Sequence, residues 1–285
     1  MHPSYPEIEY GVNEIVLSPD MDDVEHPELQ LDYEIPLFEF QFVGDDLQRL
    51  NDDLEEISKD MYERFVDETI PPKERQFDGQ YSLTYYHDMW NFFYIDHPAV
   101  EALFFLLKTA HDDICERFGI TDLNFSTHTW ANCFRKGNAT NINSHRHLND
   151  PDVSHLASNY SVTADSETAT VMELPGADDI FRVENKPGQL IFFPIWIGHY
   201  SEKVSREDHN RITIPTNIHV YEHEGEIGSH YIPFDLPPNF KKDSTGQSFD
   251  QMPHIDKETL EYVNLPLDEA LSGPPFKLDH RFKRR

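Results

Sequence analysis

The sequence after Gly119 is a series of short apolar runs with no helical period between them. Short apolar runs that end at turn-forming residues are typical of β-strands. Because no helical segment separates these runs, an antiparallel sandwich or barrel is favoured over an alternating α/β sheet. The predicted strands are 123–134, 156–162, 168–174, 180–183, 190–197 and 211–221.

The part of the chain before this series predicts one strand and two helices. Apolar residues alternate along 35–43, as in a strand with one buried face. Apolar residues recur at spacings of three and four over 46–68 and over 98–118, which predicts helices. Pro98 suits the first turn of the second helix, and Gly119 can end it. Both helices have one-sided apolar stripes, so we expect them to pack outside the β core.

These elements predict a single domain over 1–285. Residues 1–34 are acidic and contain four prolines, which indicates an extended arm. Residues 35–121 hold the first strand and the flanking helices, and 122–222 form the β core. Residues 223–285 are predicted to be a C-terminal tail.

Composition excludes several classes of protein. The chain has 23 Lys and Arg residues and 53 Asp and Glu residues, so its formal net charge is −30. Such a charge repels the phosphate backbone, which disfavours nucleic acid as a partner. No apolar run approaches the roughly 20 residues that span a membrane, and no signal peptide is visible, so we expect a cytoplasmic protein. Cys115 and Cys133 are the only cysteines, too few for a disulfide scaffold or a Cys-based zinc site.

Among 16 histidines, His145 and His147 stand out by their position. Chance alone would give about one His-x-His pair in such a chain, so the motif itself says little. The pair follows a predicted strand, however, and alternate residues of a strand point to one side, where two imidazoles can bind one metal ion. Ten other histidines, His111 among them, are predicted to be surface or hydrogen-bonded side chains.

His199 is the best candidate for a third ligand. It follows the buried strand predicted at 190–197, and a polar side chain there needs a partner. Taken alone, His199 is better explained as a core histidine bonded to a backbone carbonyl.

Arg211 and Thr213 share one face of the last predicted strand. A buried guanidinium beside a hydroxyl suits a carboxylate, because the two parallel N–H groups can bond both oxygens. The alternative is an ordinary salt bridge, which is easily formed among 53 acidic residues.

Together these residues resemble the 2-oxoglutarate- and Fe(II)-dependent oxygenase superfamily. The resemblance covers about 35–221 and is strongest over 130–217. It implies a double-stranded β-helix, or jelly roll, mainly β with flanking helices. The matching segments are Trp130-Ala131-Asn132, His145-Arg146-His147, Asn159-Tyr160, Phe193-Pro194, His199 and Arg211-Ile212-Thr213.

The resemblance implies that His145 and His199 bind Fe(II), but position 147 departs from the family pattern, which has Asp or Glu there. A three-histidine site is one interpretation, and strand parity favours it. In a second interpretation, Asp150 or Asp152 supplies a carboxylate ligand to the metal in place of His147. Loss of the iron is the third.

The same resemblance implies that Arg211 holds the distal carboxylate of 2-oxoglutarate, with Thr213 assisting and Tyr160 within reach. Trp130 and Asn132 would line the substrate pocket, unless they are a core tryptophan and a turn-facing amide.

The implied activity is O₂-dependent hydroxylation of a small molecule, such as an amino acid or a derivative. Two rival functions remain open: a cupin-type metal dioxygenase that works without 2-oxoglutarate, and a non-catalytic jelly-roll module that binds a ligand. The oligomeric state also stays open, a homodimer included.

Overall fold

Eleven strands and two α-helices make up the described part of the chain. The computed structural model describes residues 2–18, 34–62, 91–134, 146, 154–164, 168–174, 180–202, 211–221 and 231–235. All of them belong to one compact unit, Met1–Phe249. The elements are β1 (Glu9–Leu17), β2 (Ile35–Val43), α1 (Asp45–Tyr62), a 3-10 turn (Phe92–Tyr94), α2 (Pro98–Phe118), β3 (Asn124–Thr129), β4 (Asn132–Phe134), β5 (Ser154–Thr163), β6 (Ala169–Glu173), β7 (Ile180–Glu184), β8 (Gln189–Pro194), β9 (Gly198–Ser201), β10 (Arg211–Tyr221) and β11 (Ile232–Pro233).

The strands form two antiparallel sheets. The large sheet has the order β1-β2-β8-β5-β10-β3-β11, with β4 also paired to β10, and the small sheet has the order β7-β6-β9. From β5 onward the chain crosses repeatedly between the two sheets. Strands β5, β8 and β10 belong to the large sheet, and β6, β7 and β9 belong to the small one. This alternation is the jelly-roll topology, so the predicted fold class is confirmed.

The two sheets enclose a shared apolar core. Side chains from both sheets meet in one buried cluster, because alternate residues of each strand point inward. The cluster includes Leu37, Ala157, Met172, Leu174, Val183, Ile191, Phe193 and Ile197.

The two helices are present where the apolar stripes predicted them, on the outer face of the large sheet. Phe38 of β2 meets Phe118 of α2 edge to face, with ring centroids 5.7 Å apart. Gly119 ends α2 in the left-handed conformation at φ 66°. The predicted end of the first helix, beyond Tyr62, lies outside the described residues. Neither described α-helix combines the length and the apolar character that crossing a membrane requires.

The segment 190–197 differs from the single strand that its apolar character predicted. Strand β8 ends at Pro194, which lacks the N–H needed to continue a ladder. A turn follows, in which the Ile197 N–H donates to the Pro194 carbonyl at 3.0 Å. The chain then enters β9 in the small sheet, so His199 lies across the core from β8 rather than at its end.

The two ends of the chain are only partly described. Within the predicted arm, β1 pairs along its whole length with β2 and forms the edge of the large sheet. Of the predicted tail, only 231–235 is described, and there β11 pairs with β3. The single-domain interpretation and its boundaries stay predictions.

Replacing Gly44 tests the junction between β2 and α1. Gly44 has φ 126°, and an added Cβ would overlap the Glu7 carbonyl oxygen. We expect Gly44→Ala to lower the free energy of unfolding by about 2–4 kcal/mol in a denaturant titration. Gly11→Ala is the matched control, because no atom lies within 4 Å of a Cβ built there. Equal effects of the two substitutions would contradict the strain at Gly44.

Candidate functional site

Arg211 lies in the interior between the two sheets. It is the first residue of β10, and none of its surface is exposed. Its Nη2 donates to Thr170 Oγ1 at 3.3 Å and to Asn185 Oδ1 at 3.2 Å. Thr170 belongs to β6, and Asn185 follows β7. The guanidinium therefore spans from the large sheet to the small one.

The positive charge of Arg211 has no carboxylate partner among the described residues. Its Nε and Nη1 are buried without a hydrogen-bond partner. The charge of Glu202 acts on Arg211, but the Glu202 carboxylate is bonded to Arg182. Arg182 Nε donates to Glu202 Oε1 at 2.9 Å, and Arg182 Nη2 donates to Glu202 Oε2 at 2.6 Å. The ordinary salt bridge that the sequence allowed for Arg211 is not formed within the described part of the chain.

Burial has a clear electrostatic consequence for Arg211. Desolvation lowers the pKa of its guanidinium to about 10, opposed by the charge of Glu202. The side chain is still cationic at neutral pH, and a cation without a partner in the interior is costly. Open N–H donors on a buried cation form a binding site for an anion such as a carboxylate.

Polar and aromatic side chains surround this guanidinium on the same face of the large sheet. Strand register places Phe134 opposite Arg211 and Asn132 opposite Thr213. The Phe134 ring centroid lies 5.3 Å from the Arg211 Cζ. Thr213 and Asn132 are both buried. Trp130 is buried as well, two residues before Asn132. The structure thus brings together three of the predicted residues: Arg211, Thr213 and Asn132. The ring of Trp130 lies instead beside His128, with centroids 5.8 Å apart.

His199 is buried in the small sheet, second in β9. Its Nδ1 lies 3.1 Å from the Ile197 carbonyl oxygen, which can only accept, so Nδ1 carries the proton in this bond. Nε2 is then the nitrogen with the lone pair, the arrangement of a metal-binding imidazole. The Phe193 ring packs against it edge to face at 4.7 Å and excludes water on that side.

Strand register relates His199 to Arg211. His199 pairs with Met172, and Thr170, two residues earlier in β6, accepts the hydrogen bond from Arg211. Residues two apart in a strand share a face, so His199 and the Arg211 guanidinium face the same interior. Two residues of strand correspond to about 6.6 Å.

Tyr160 lies on the opposite face of the large sheet. It pairs with Ile214, whose side chain alternates with those of Arg211 and Thr213. Its hydroxyl donates to Asn51 Oδ1 of α1 at 2.7 Å, and burial raises its pKa. The structure therefore does not bring Tyr160 together with Arg211, because strand parity turns it toward the helices.

Sequence reasoning missed Thr170 and Asn185, the two side chains that hold Nη2 of Arg211. A signal was present: Thr168 and Thr170 are polar residues two apart in the predicted strand 168–174, as expected of a face that meets a polar group. Asn185 Nδ2 in turn bonds Thr168 Oγ1 at 3.4 Å.

The other predicted metal ligands lie outside the described residues. These are His145 and His147, together with the alternative ligands Asp150 and Asp152. Arg146, between the two histidines, is described and is exposed. The choice between a three-histidine site and one with a carboxylate stays a prediction.

The fold is a jelly roll with an apolar core and one buried arginine between its sheets. No protein-family model matches the chain, and no curated protein matches it. Among solved structures, the chain is similar to a prolyl-4-hydroxylase from Pseudomonas putida, with 14% identity, a TM-score of 0.34 and coverage of 44% of this chain and 64% of that one.

A second similar structure is an oxidoreductase of the 2OG-Fe(II) oxygenase family from Burkholderia pseudomallei, with 15% identity, a TM-score of 0.36 and coverage of 43% of this chain and 58% of that one. A third is a Trichoplax adhaerens prolyl hydroxylase in complex with a peptide fragment, with 14% identity, a TM-score of 0.34 and coverage of 46% and 60%. The matched part is less than two thirds of each of these structures. These similar structures belong to the 2-oxoglutarate- and Fe(II)-dependent oxygenase superfamily, which the sequence motifs resemble.

Removing the Tyr160 hydroxyl tests its assignment to the helix-facing side. Tyr160→Phe leaves the Asn51 oxygen without its donor, so we expect the free energy of unfolding to fall by about 1–2 kcal/mol at neutral pH. The pH dependence should also change. Because the folded pKa is raised, Tyr160 destabilises the fold as pH rises above about 10, by up to about 1.4 kcal/mol per pH unit, and the variant lacks this contribution.

Denaturant titrations from pH 7 to 11 measure both effects. Tyr200→Phe is the control, since Tyr200 is a partly exposed residue of β9. An unchanged alkaline slope in Tyr160→Phe would contradict the assignment.

Proposed function

We propose that this protein is an Fe(II)- and 2-oxoglutarate-dependent oxygenase that hydroxylates a small molecule. One observation carries the proposal: a fully buried guanidinium, Arg211, with two unsatisfied donors in the interior that it shares with His199. Within the described residues no carboxylate pairs with this cation, which supports its pairing with the carboxylate of a ligand.

Arg211 would bind the distal carboxylate of 2-oxoglutarate. Thr170 and Asn185 hold Nη2, which fixes the plane of the guanidinium. Nη1 is left for an incoming carboxylate oxygen, and the Nε N–H points to the opposite edge of the group. Thr213 lies on the same face of β10 and can add a hydroxyl donor.

His199 would be one iron ligand, through Nε2. Its Nδ1–H bond to the Ile197 carbonyl fixes the tautomer that metal binding needs. His145 and His147 would complete a three-histidine set, with Asp150 or Asp152 as the alternative to His147. The donor set fits ferrous iron, because imidazole is a suitable ligand for it. When bound with 2-oxoglutarate and O₂, the iron supplies oxidative decarboxylation to succinate and CO₂, coupled to hydroxylation of a C–H bond.

The protein's own contribution is orientation and exclusion of water. Phe134 covers one side of the guanidinium and Phe193 one side of His199, which keeps both polar groups in an apolar surrounding. Trp130 and Asn132 would line the substrate side of the pocket. A net charge of −30 attracts cations and repels polyanions, which supports a small or cationic substrate such as an amino acid derivative.

The Arg211→Lys variant tests the cosubstrate site. Lysine keeps the charge but loses the planar pair of donors, so binding of 2-oxoglutarate should weaken by about 2–4 kcal/mol, with a matching rise in its KM. Succinate release with ferrous iron measures the KM, and calorimetry measures binding directly. Arg182→Lys is the matched control, because that arginine forms a half-exposed ion pair with Glu202 and should leave the KM unchanged. An unaltered KM in Arg211→Lys would remove the main support for the proposal.

The His199→Ala variant tests the metal site separately. We expect it to lose tight Fe(II) binding, measured by equilibrium dialysis, whereas Arg211→Lys should retain it. Wild-type protein should release succinate only with ferrous iron and 2-oxoglutarate together. Consumption of O₂ without 2-oxoglutarate would favour the cupin-type dioxygenase, and failure to react or to bind iron would favour the ligand-binding module.

A further inference from the structure

A second group of metal-binding side chains lies on the other side of the large sheet, between the sheet and α2. His111 and Cys115 come from α2 and His155 from β5. One ligand atom from each residue lies within 4.8 Å of the other two. The large sheet separates this group from the interior that holds Arg211, because α2 packs on the outer face of that sheet. We infer that His111, Cys115 and His155 form a binding site for a soft monovalent metal ion, Cu(I).

Local structure directs all three side chains to one point. His111 and Cys115 are four residues apart and therefore share one face of α2. His155 lies where the register between β5 and β10 shifts, since Ile218 pairs with Leu156 and His219 pairs with Ser154. A bulge of this kind leaves one residue unpaired and re-aims its side chain. Here it turns His155 toward the helix, so that its ring lies 5.5 Å from the ring of His111.

The distance between His111 and Cys115 suits two ligands of one ion. Cys115 Sγ lies 3.7 Å from each ring nitrogen of His111. Metal–nitrogen bonds of about 2.0–2.1 Å and a metal–sulfur bond of about 2.3 Å put such ligand atoms about 3.6–3.8 Å apart. The buried Nε2 atom of His155 has no hydrogen-bond partner among the described residues, which leaves a polar atom to be satisfied.

The surroundings favour neutral imidazoles. Phe125 and Phe234 pack on the His111 ring, with centroids at 4.5 Å and 5.2 Å. Burial lowers the pKa of His111 to about 3 and also lowers that of His155, so both rings keep free lone pairs at neutral pH. Burial raises the pKa of the Cys115 thiol to about 11, so binding of a metal must displace its proton.

Charge and ligand number select the ion. Cu⁺ with one thiolate and two neutral imidazoles has no net charge, whereas Zn²⁺ or Fe²⁺ would leave one positive charge in an apolar site. Lys108 and Asp112, whose charges act on this group, are paired with each other at 2.6 Å. Structural zinc also takes four ligands, and the described residues offer three. A thiolate ligand favours Cu(I) as well.

Anaerobic titration of the full-length protein with Cu(I), against a chromophoric Cu(I) chelator, tests this site. We expect one tightly bound Cu(I), with affinity reduced at least 100-fold in Cys115→Ala and in His155→Phe. Cys133→Ala removes the other thiol and His199→Ala alters the separate histidine, and neither should change the affinity more than threefold. The last control also keeps this result independent of the proposed oxygenase site.

X-ray absorption on the wild-type complex needs no variant, so it gives an answer even where a substitution impairs folding. One sulfur and two nitrogen ligands at copper would support the site. The inference would be overturned by a copper site without sulfur, by equal loss of binding in Cys133→Ala, by absence of Cu(I) binding, or by Zn²⁺ that displaces Cu(I) at equal concentration.

Discussion

The buried charge of Arg211 is the constraint on which the rest of the interior depends. A guanidinium that leaves water loses several kcal/mol of hydration, and two hydrogen bonds from Nη2 to Thr170 and Asn185 recover only a part of it. The polar residues of the small sheet are arranged around this one group. Among the described residues, Nε and Nη1 of this guanidinium are left without an acceptor.

Much of the fold could be predicted because local patterns and tertiary packing agree. Alternation along 35–43 and the apolar runs after Gly119 correspond to strands, and the one-sided stripes correspond to α1 and α2. The segment 190–197 could not be resolved, because periodicity does not show where a continuous apolar run leaves one sheet for another. There, the missing N–H of Pro194 decided the end of β8.

Those site residues could be predicted whose side-chain direction follows from alternation along a strand alone. Arg211, Thr213 and Asn132 share a face because they sit opposite or two apart in regular ladders. Tyr160 could not be placed from the sequence, since its face depends on which residue of β10 it pairs with. His111 and Cys115 were passed over for a related reason: their spacing of four is common in helices, and only the bulge in β5 brings His155 beside them.

The crossing between β8 and β9 has a consequence for how this architecture tolerates change. The backbones of His199 and Arg211 lie on facing sheets, so the spacing between their strands is the distance between the sheets, set by inward side chains such as Phe193, Ile197 and Met172. This spacing does not depend on the number of residues between Glu202 and Arg211. Evolution could therefore lengthen or shorten that connection freely, whereas a change in the volume of one core residue would alter the span between the two groups.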